Sequence, residues 1–164
     1  MFLSSNKNIK IIQHMVISFV LIFMQTYLPR VYISENFIIS LDLFLIYITI
    51  LVLLYETSYV IILSFIFALL QDFLILVGVI GLCSFIKPIC VYFVGVIKKT
   101  NHLWKRRFKY SYLFTIYLFH YIVYYYVSVN SPDFSVISVG VLHSIVTLII
   151  VLLVEKLIYN SDIL

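Results

Sequence analysis

Three ionisable side chains interrupt the apolar segments of this sequence and are its first candidates for chemistry. Asp42, Asp72 and Lys87 each lie within a long hydrophobic run. An ionisable group in such a run needs a partner, a wet cavity or a functional role. The midpoint of Asp72 and Lys87 falls between Val79 and Ile80, in a predicted turn between two antiparallel helices. We therefore expect an Asp72–Lys87 ion pair, with Asp42 as a second acceptor at similar height.

This ion pair has two interpretations. It could simply hold two helices together, or it could belong to a ligand site or a proton path. Gln71 adds a polar group beside Asp72. Pro88 frees a backbone carbonyl one turn earlier and predicts a kink next to Lys87. The role in holding the helices together is the simpler interpretation.

Two histidines are related in the same way across a later predicted turn. The midpoint of His120 and His143 falls between Ser131 and Pro132, so both should lie at matching depth. Two histidines can bind a metal or relay a proton, but no Cys, Asp or Glu lies at a spacing that would complete a metal site. We expect both to hydrogen-bond between helices, and His14 in the first helix to do the same.

No catalytic set emerges from the sequence. It has no nucleophile elbow with a Ser-His-Asp set, no phosphate-binding glycine loop and no metal-ligand cluster. Cys83 and Cys90 lie on one predicted helix about 10 Å apart along its axis, too far for a disulfide. They are interpreted as buried thiols. The sequence therefore predicts a protein that is not an enzyme and has no cofactor.

The elements that must position these residues are predicted to be membrane-spanning helices. The 164 residues are 64% hydrophobic and only 11% charged, whereas a soluble domain has about 25% charged residues. The mean hydropathy is +1.15. A soluble core of this size could not bury so much apolar surface, so lipid is expected to be the main partner of the side chains. The net charge of +4 does not indicate nucleic acid, because the basic residues cluster at predicted membrane boundaries.

Hydrophobic run length predicts six spans, since a helix needs about 20 apolar residues to cross the hydrocarbon core. A strand interpretation fails because the runs are long and do not alternate. The expected fold is an all-α bundle of six transmembrane helices forming one domain over residues 1–164. The predicted spans are 9–28, 37–55, 57–76, 79–97, 110–129 and 134–157.

A basic segment in the middle of the chain predicts the orientation. Six of the 11 Lys and Arg residues lie there. With the N-terminus in the cytoplasm, nine basic residues fall inside and only Arg30 outside. The positive-inside rule therefore predicts a multi-pass protein with both termini in the cytoplasm, and a basic loop that faces lipid or cytoplasmic components. The loop residues are Lys98, Lys99, Lys105, Arg106, Arg107 and Lys109.

Small residues indicate where helices could approach closely. Ser64, Ala68 and Asp72 recur every fourth residue, so they share one face of the third helix. Small side chains on a face permit close contact with a neighbour in the membrane. Gly78 and Gly81 mark a tight turn after that helix. This face is predicted to be buried in the bundle.

Two segments resemble the rod shape-determining protein MreD family. Leu69-Leu70-Gln71-Asp72-Phe73-Leu74, followed by Gly78 and Gly81-Leu82, resembles the family's central motif. Ser40-Leu41-Asp42-Leu43 is similar to the Pro-Asp-Leu that opens its second span. The end of the fourth predicted span, with Gly95 before Lys98 and Lys99, also resembles the family, which implies a packing role for Gly95. Length, span number and basic loop match, so the resemblance covers essentially the whole chain.

The resemblance implies a function without enzymatic activity. Members of the family are scaffolds in the bacterial cytoplasmic membrane that maintain rod shape through side-wall peptidoglycan synthesis. It implies MreC as the principal partner, within an elongation complex with MreB, RodA and a class B penicillin-binding transpeptidase. It also implies a fold similar to the substrate-binding subunits of energy-coupling-factor vitamin transporters. Such a transporter subunit is the alternative function, although the first helix lacks the Ala-x-x-x-Ala stripe typical of those subunits.

Overall fold

Six α-helices carry the fold of the described residues, which are 2–29, 31–34, 37–75, 79–100, 102–128 and 135–159. The structure is a computed structural model. The prediction of a helical fold class is confirmed. The helices are α1 (Phe2–Tyr27), α2 (Leu43–Leu54), α3 (Thr57–Ile75), α4 (Leu82–Lys99), α5 (Arg106–Ser128) and α6 (Ser135–Tyr159).

A short hairpin precedes α2 and corrects the second predicted span. Strands β1 (Val31–Ser34) and β2 (Phe37–Ile39) pair antiparallel. Their β-branched residues favour extended backbone. Helix α2 begins only at Leu43, where the side chain of Asp42 caps it by accepting a hydrogen bond from the Leu45 amide at 2.9 Å. With 12 residues, α2 is about 18 Å long, well short of the roughly 30 Å of a hydrocarbon core.

Three other helices begin at least three residues away from the predicted start of their spans. Helix α1 begins at Phe2 instead of residue 9. Helix α4 begins at Leu82 instead of residue 79, because Gly81 has a φ of 100° and stands at the N-cap. Glycine adopts this left-handed conformation without steric cost. Helix α5 begins at Arg106 instead of residue 110. Five of the six basic residues of the predicted loop therefore lie in helices, and only Lys105 does not.

The short helix α2 lies at the centre of the bundle. It contacts α1, α3, α4 and α6, while α3 packs on α4 and α5 packs on α6 as sequential hairpins. Phe44, Leu45, Ile48 and Val52 of α2 are completely buried. This central position explains why α2 is apolar on every face, as expected of a helix surrounded by other helices.

Within the described residues, two helices are long and apolar enough to cross a membrane by length and composition. They are Thr57–Leu74 within α3 and Ser135–Leu157 within α6, and only 39% of each segment is buried. A core helix of a soluble protein would be mostly covered by its neighbours. These two helices therefore indicate association with a membrane. Among the described residues, Ile11–Tyr27 and Leu43–Leu54 are shorter apolar helical segments.

Candidate functional site

A buried ion pair joins the start of α2 to the second turn of α4. The Lys87 ammonium lies 2.6 Å from Asp42 Oδ2 and 2.9 Å from Oδ1. Lys87 is 0% exposed and Asp42 is 7% exposed. The same ammonium donates to Gln71 Oε1 on α3 and lies 5.0 Å from the centre of the Phe44 ring. One lysine thus links three helices.

Asp72 has a different role from the one predicted. Its carboxylate accepts hydrogen bonds from the backbone amides of Gly81, Cys83 and Ser84, each at 3.1 Å. These amides belong to the first turn of α4, which has no intrahelical acceptor for them. The predicted Asp72–Lys87 ion pair is therefore wrong: Asp42, predicted as a second acceptor, is the partner of Lys87. Asp72 instead ties the last turn of α3 to the beginning of α4.

The predicted interhelical roles of the histidines are confirmed for His143 and His14. His143 Nδ1 lies 2.9 Å from the Tyr125 hydroxyl of α5, and the Tyr121 ring stacks on the imidazole with 3.7 Å between ring centroids. His14 Nδ1 lies 2.7 Å from the Tyr47 hydroxyl of α2. His120 instead places Nε2 4.0 Å from Asp42 Oδ2, at the edge of the buried ion pair.

These polar groups surround a small chamber to which all six helices or their links contribute. Its volume is about 30 Å³, enough for about two water molecules. Three atoms on its lining residues are buried and have no hydrogen-bond partner among the described residues: Gln25 Oε1, His120 Nδ1 and His143 Nε2. Water in the chamber would satisfy these atoms. The remaining lining residues are Ser40, Asp42, Gln71, Cys83, Tyr121, Tyr124 and Tyr125.

Most of the predicted packing positions are buried, whereas Gly81 is half-buried. Ser64 and Ala68 are both 0% exposed. A Cβ atom added to Gly95 would lie only 2.5 Å from Thr57 Cγ2, so α4 meets the beginning of α3 without room for a side chain. Gly81 serves the turn described above. Gly78 lies outside the described residues.

The predicted cytoplasmic basic loop is largely a pair of helix ends. Lys98 and Lys99 form the last turn of α4, and Arg106 and Arg107 begin α5. Lys98 Nζ donates to the Tyr55 carbonyl at 2.6 Å. Lys109 is only 7% exposed, so its assignment to a solvated loop is wrong. Helix α5 begins one turn earlier than predicted and carries this lysine into the bundle.

A ladder of polar contacts between α5 and its neighbours was not predicted. The Tyr117 hydroxyl donates to Thr49 Oγ1 of α2 at 3.1 Å, and the Tyr121 hydroxyl lies 2.7 Å from Thr147 Oγ1 of α6. Tyr117, Tyr121 and Tyr125 recur every fourth residue, which places them on one helix face. This four-residue spacing is the sequence signal that could have predicted the row of polar contacts.

The described residues contain no group of three or more His, Cys, Asp or Glu side chains that could hold a metal ion. Cys83 and Cys90 are buried free thiols, as predicted.

The site as a whole is a hydrogen-bonded polar core inside a helical bundle. No protein-family model, curated protein or solved structure matches the chain.

Proposed function

We propose that this chain is a multi-pass protein of the bacterial cytoplasmic membrane, built as a six-helix bundle with cytoplasmic termini. Among the described residues, thirty large hydrophobic side chains are exposed, including nine on α1 alone. Soluble monomers rarely expose contiguous apolar patches larger than a few hundred Å². Lipid contact accounts for this surface, while Ser18 and Gln25 of α1 are buried in the bundle.

Within that membrane, the proposed role is a scaffold of the cell-elongation machinery without enzymatic activity, as the resemblance to the MreD family implies. MreC is the proposed principal partner, in a complex with MreB, RodA and a class B penicillin-binding transpeptidase. The scaffold would maintain rod shape by supporting side-wall peptidoglycan synthesis.

One observation carries this proposal: the polar residues of the two segments that resemble the MreD family form the contacts of the buried polar core. Asp42 opens α2 and binds Lys87, Gln71 accepts from the same lysine, and Asp72 caps α4 beside Gly81. The charged residues of both segments are therefore engaged with the protein itself. A polar core of this kind holds helices in one arrangement, which is the property a scaffold requires.

The transporter alternative is less well supported. Sites for drug-sized ligands and cofactors are usually about 300–1,000 Å³, whereas the chamber beside Asp42 has a volume of about 30 Å³. A vitamin would require the helices around Asp42, His120 and His143 to separate. The chamber as it stands suits water.

Depletion of the chain in its own cells tests the proposed role. We expect rods to become round, and the wild-type chain to restore the rods when expressed from a second copy. A copy carrying Lys156→Met serves as a control, because Lys156 is exposed in the last turn of α6 and lies outside the basic segment. Normal rods after complete depletion would refute the scaffold role.

Co-purification tests the proposed partner separately. The chain carrying an affinity tag, extracted in mild detergent, should retain MreC, and the Lys156→Met variant should retain it equally. A chain that restores rods but never retains MreC would exclude MreC as the principal partner.

A further inference from the structure

The turn between α4 and α5 combines exposed positive charge with exposed apolar side chains. Lys99, Lys105 and Arg107 are exposed. Between and beside them, Leu103 is 69% exposed and Phe108 is 56% exposed. We call these five residues the basic-apolar surface. Its two kinds of side chain share one short segment at one end of the bundle.

Ring contacts hold the apolar part of this surface in place. Trp104 makes an edge-on contact with Phe108, with 4.9 Å between centroids, and a second with Tyr112 at 5.1 Å. Tyr112 lies on α5, so the rings fix the turn against that helix. Phe108 is therefore presented outward by a packed aromatic group.

Few acidic side chains are available to balance the basic-apolar surface within the described part of the chain, where Glu56 is the only exposed Asp or Glu. Residues 98–109 contain no Asp or Glu. Glu155 of α6 is only 7% exposed. Glu56 is exposed and follows Tyr55, whose carbonyl accepts from Lys98. Lys99, Lys105 and Arg107 are therefore available to an external anion.

The geometry points to a binding surface for anionic phospholipid, with the cations on the phosphate and headgroup and with Leu103 and Phe108 among the upper acyl chains. This inference rests on the proposed membrane location. A phospholipid is favoured over an acidic protein because one ligand must cover charged and strongly apolar groups within a single turn. Lys and Arg near a membrane surface are attracted to anionic lipid, and aromatic rings suit the same interface.

Lipid retention by the purified full chain tests the inference. The chain in mild detergent is mixed with phosphatidylglycerol or phosphatidylcholine, and the retained lipid is measured by native mass spectrometry. We expect preferential retention of phosphatidylglycerol. Removing charge with Lys99→Gln, Lys105→Gln and Arg107→Gln should reduce the affinity for it about fivefold per cation, and high salt should weaken the preference.

Two matched variants test the charged and the apolar side chains of the surface separately. The first variant retains all three charges and should retain the preference for phosphatidylglycerol. It carries Lys99→Arg, Lys105→Arg and Arg107→Lys. Leu103→Ser with Phe108→Ser should lower retention of both lipids while leaving the preference. Equal retention of the two lipids by the wild-type chain would overturn the inference, as would an unchanged preference in the glutamine variant. Tight binding of a polyglutamate peptide without lipid preference would also overturn it, in favour of an acidic protein.

The membrane location is checked independently by alkaline carbonate extraction of cell membranes. A chain that is released by carbonate contradicts the proposed membrane protein and, with it, the lipid surface. A chain that stays in the membrane and shows no preference for phosphatidylglycerol contradicts the lipid surface alone.

Discussion

Replacing Lys87 by methionine should be one of the most destabilising single changes in this chain. Methionine retains most of the apolar stem, so the change removes mainly the ammonium. The lost contacts are those at 2.6 and 2.9 Å to the two oxygens of Asp42 and the hydrogen bond to Gln71. The Asp42 carboxylate, 7% exposed, then remains buried without its cation. Removing one partner of a buried ion pair costs about 3–5 kcal/mol.

A second substitution should recover much of that loss. Asp42→Asn removes the negative charge but keeps a side-chain oxygen that can accept from the Leu45 amide, which preserves the helix cap. The double variant with Lys87→Met therefore buries no unpaired charge. We expect it to be about 2 kcal/mol more stable than Lys87→Met alone, because partners in contact are strongly coupled.

Reversible unfolding in mixed detergent micelles measures these free energies, with circular dichroism as the signal. Lys99→Met is the control for composition, since it removes an exposed lysine from the same helix, and it should change stability by less than about 0.5 kcal/mol. Asp72→Asn combined with Lys87→Met should give no recovery. A Lys87→Met variant as stable as wild type, or recovery by Asp72→Asn in place of Asp42→Asn, would refute the assigned pairing.

Three further changes test other contacts by the same unfolding measurement. Asp72→Ala should cost about 3 kcal/mol or more, because it leaves three backbone amides at the start of α4 without their acceptor; an effect below about 1 kcal/mol would contradict the cap. Gly95→Ala should cost about 1–3 kcal/mol by overpacking, and Thr57→Ala should relieve it by removing the two atoms at 2.5 and 2.7 Å from the added Cβ; absence of relief would contradict that contact. Lys109 of α5 and Glu155 of α6 are both 7% exposed, and the two helices pack together. Exchanging the two charges in a double variant should therefore be tolerated better than reversing either charge alone. If the changes in the free energy of unfolding of the two single variants add up to that of the double variant, the two residues are uncoupled.

The number and order of the helices could be predicted because long apolar runs and turn residues are local properties. The hairpin before α2 could not, since its residues are as hydrophobic as a membrane span. Apolar run length alone does not distinguish Val31–Ser34 and Phe37–Ile39 from the helix that follows. The cap at Asp42 separates them, and it was interpreted as part of the span.

The partner of Lys87 shows a second limit of local reasoning. Two residues at equal distance from the turn of a helical hairpin are expected at equal depth. That expectation concerns only α3 and α4, the two helices that flank the turn after Asp72. It does not consider α2, which is distant in sequence and packs against α4. The free amides at the beginning of α4 also compete for Asp72, and they are closer along the chain than Lys87. Packing between helices that are distant in sequence therefore determines which carboxylate pairs with Lys87.

In the proposed membrane location, the buried pair of Asp42 and Lys87 favours a static role over a voltage-driven one, because the pair carries no net charge. Moving one elementary charge across a membrane at 100 mV is worth about 2.3 kcal/mol, so a voltage-driven or ion-driven protein needs charges that change depth or number. Asp42 and Lys87 cancel at one depth, 2.6 Å apart. Asp72 is held by backbone amides at a helix N-terminus, where a carboxylate is stabilised. Neither group can leave without exposing an unpaired partner in the core, and that cost holds α2, α3 and α4 together.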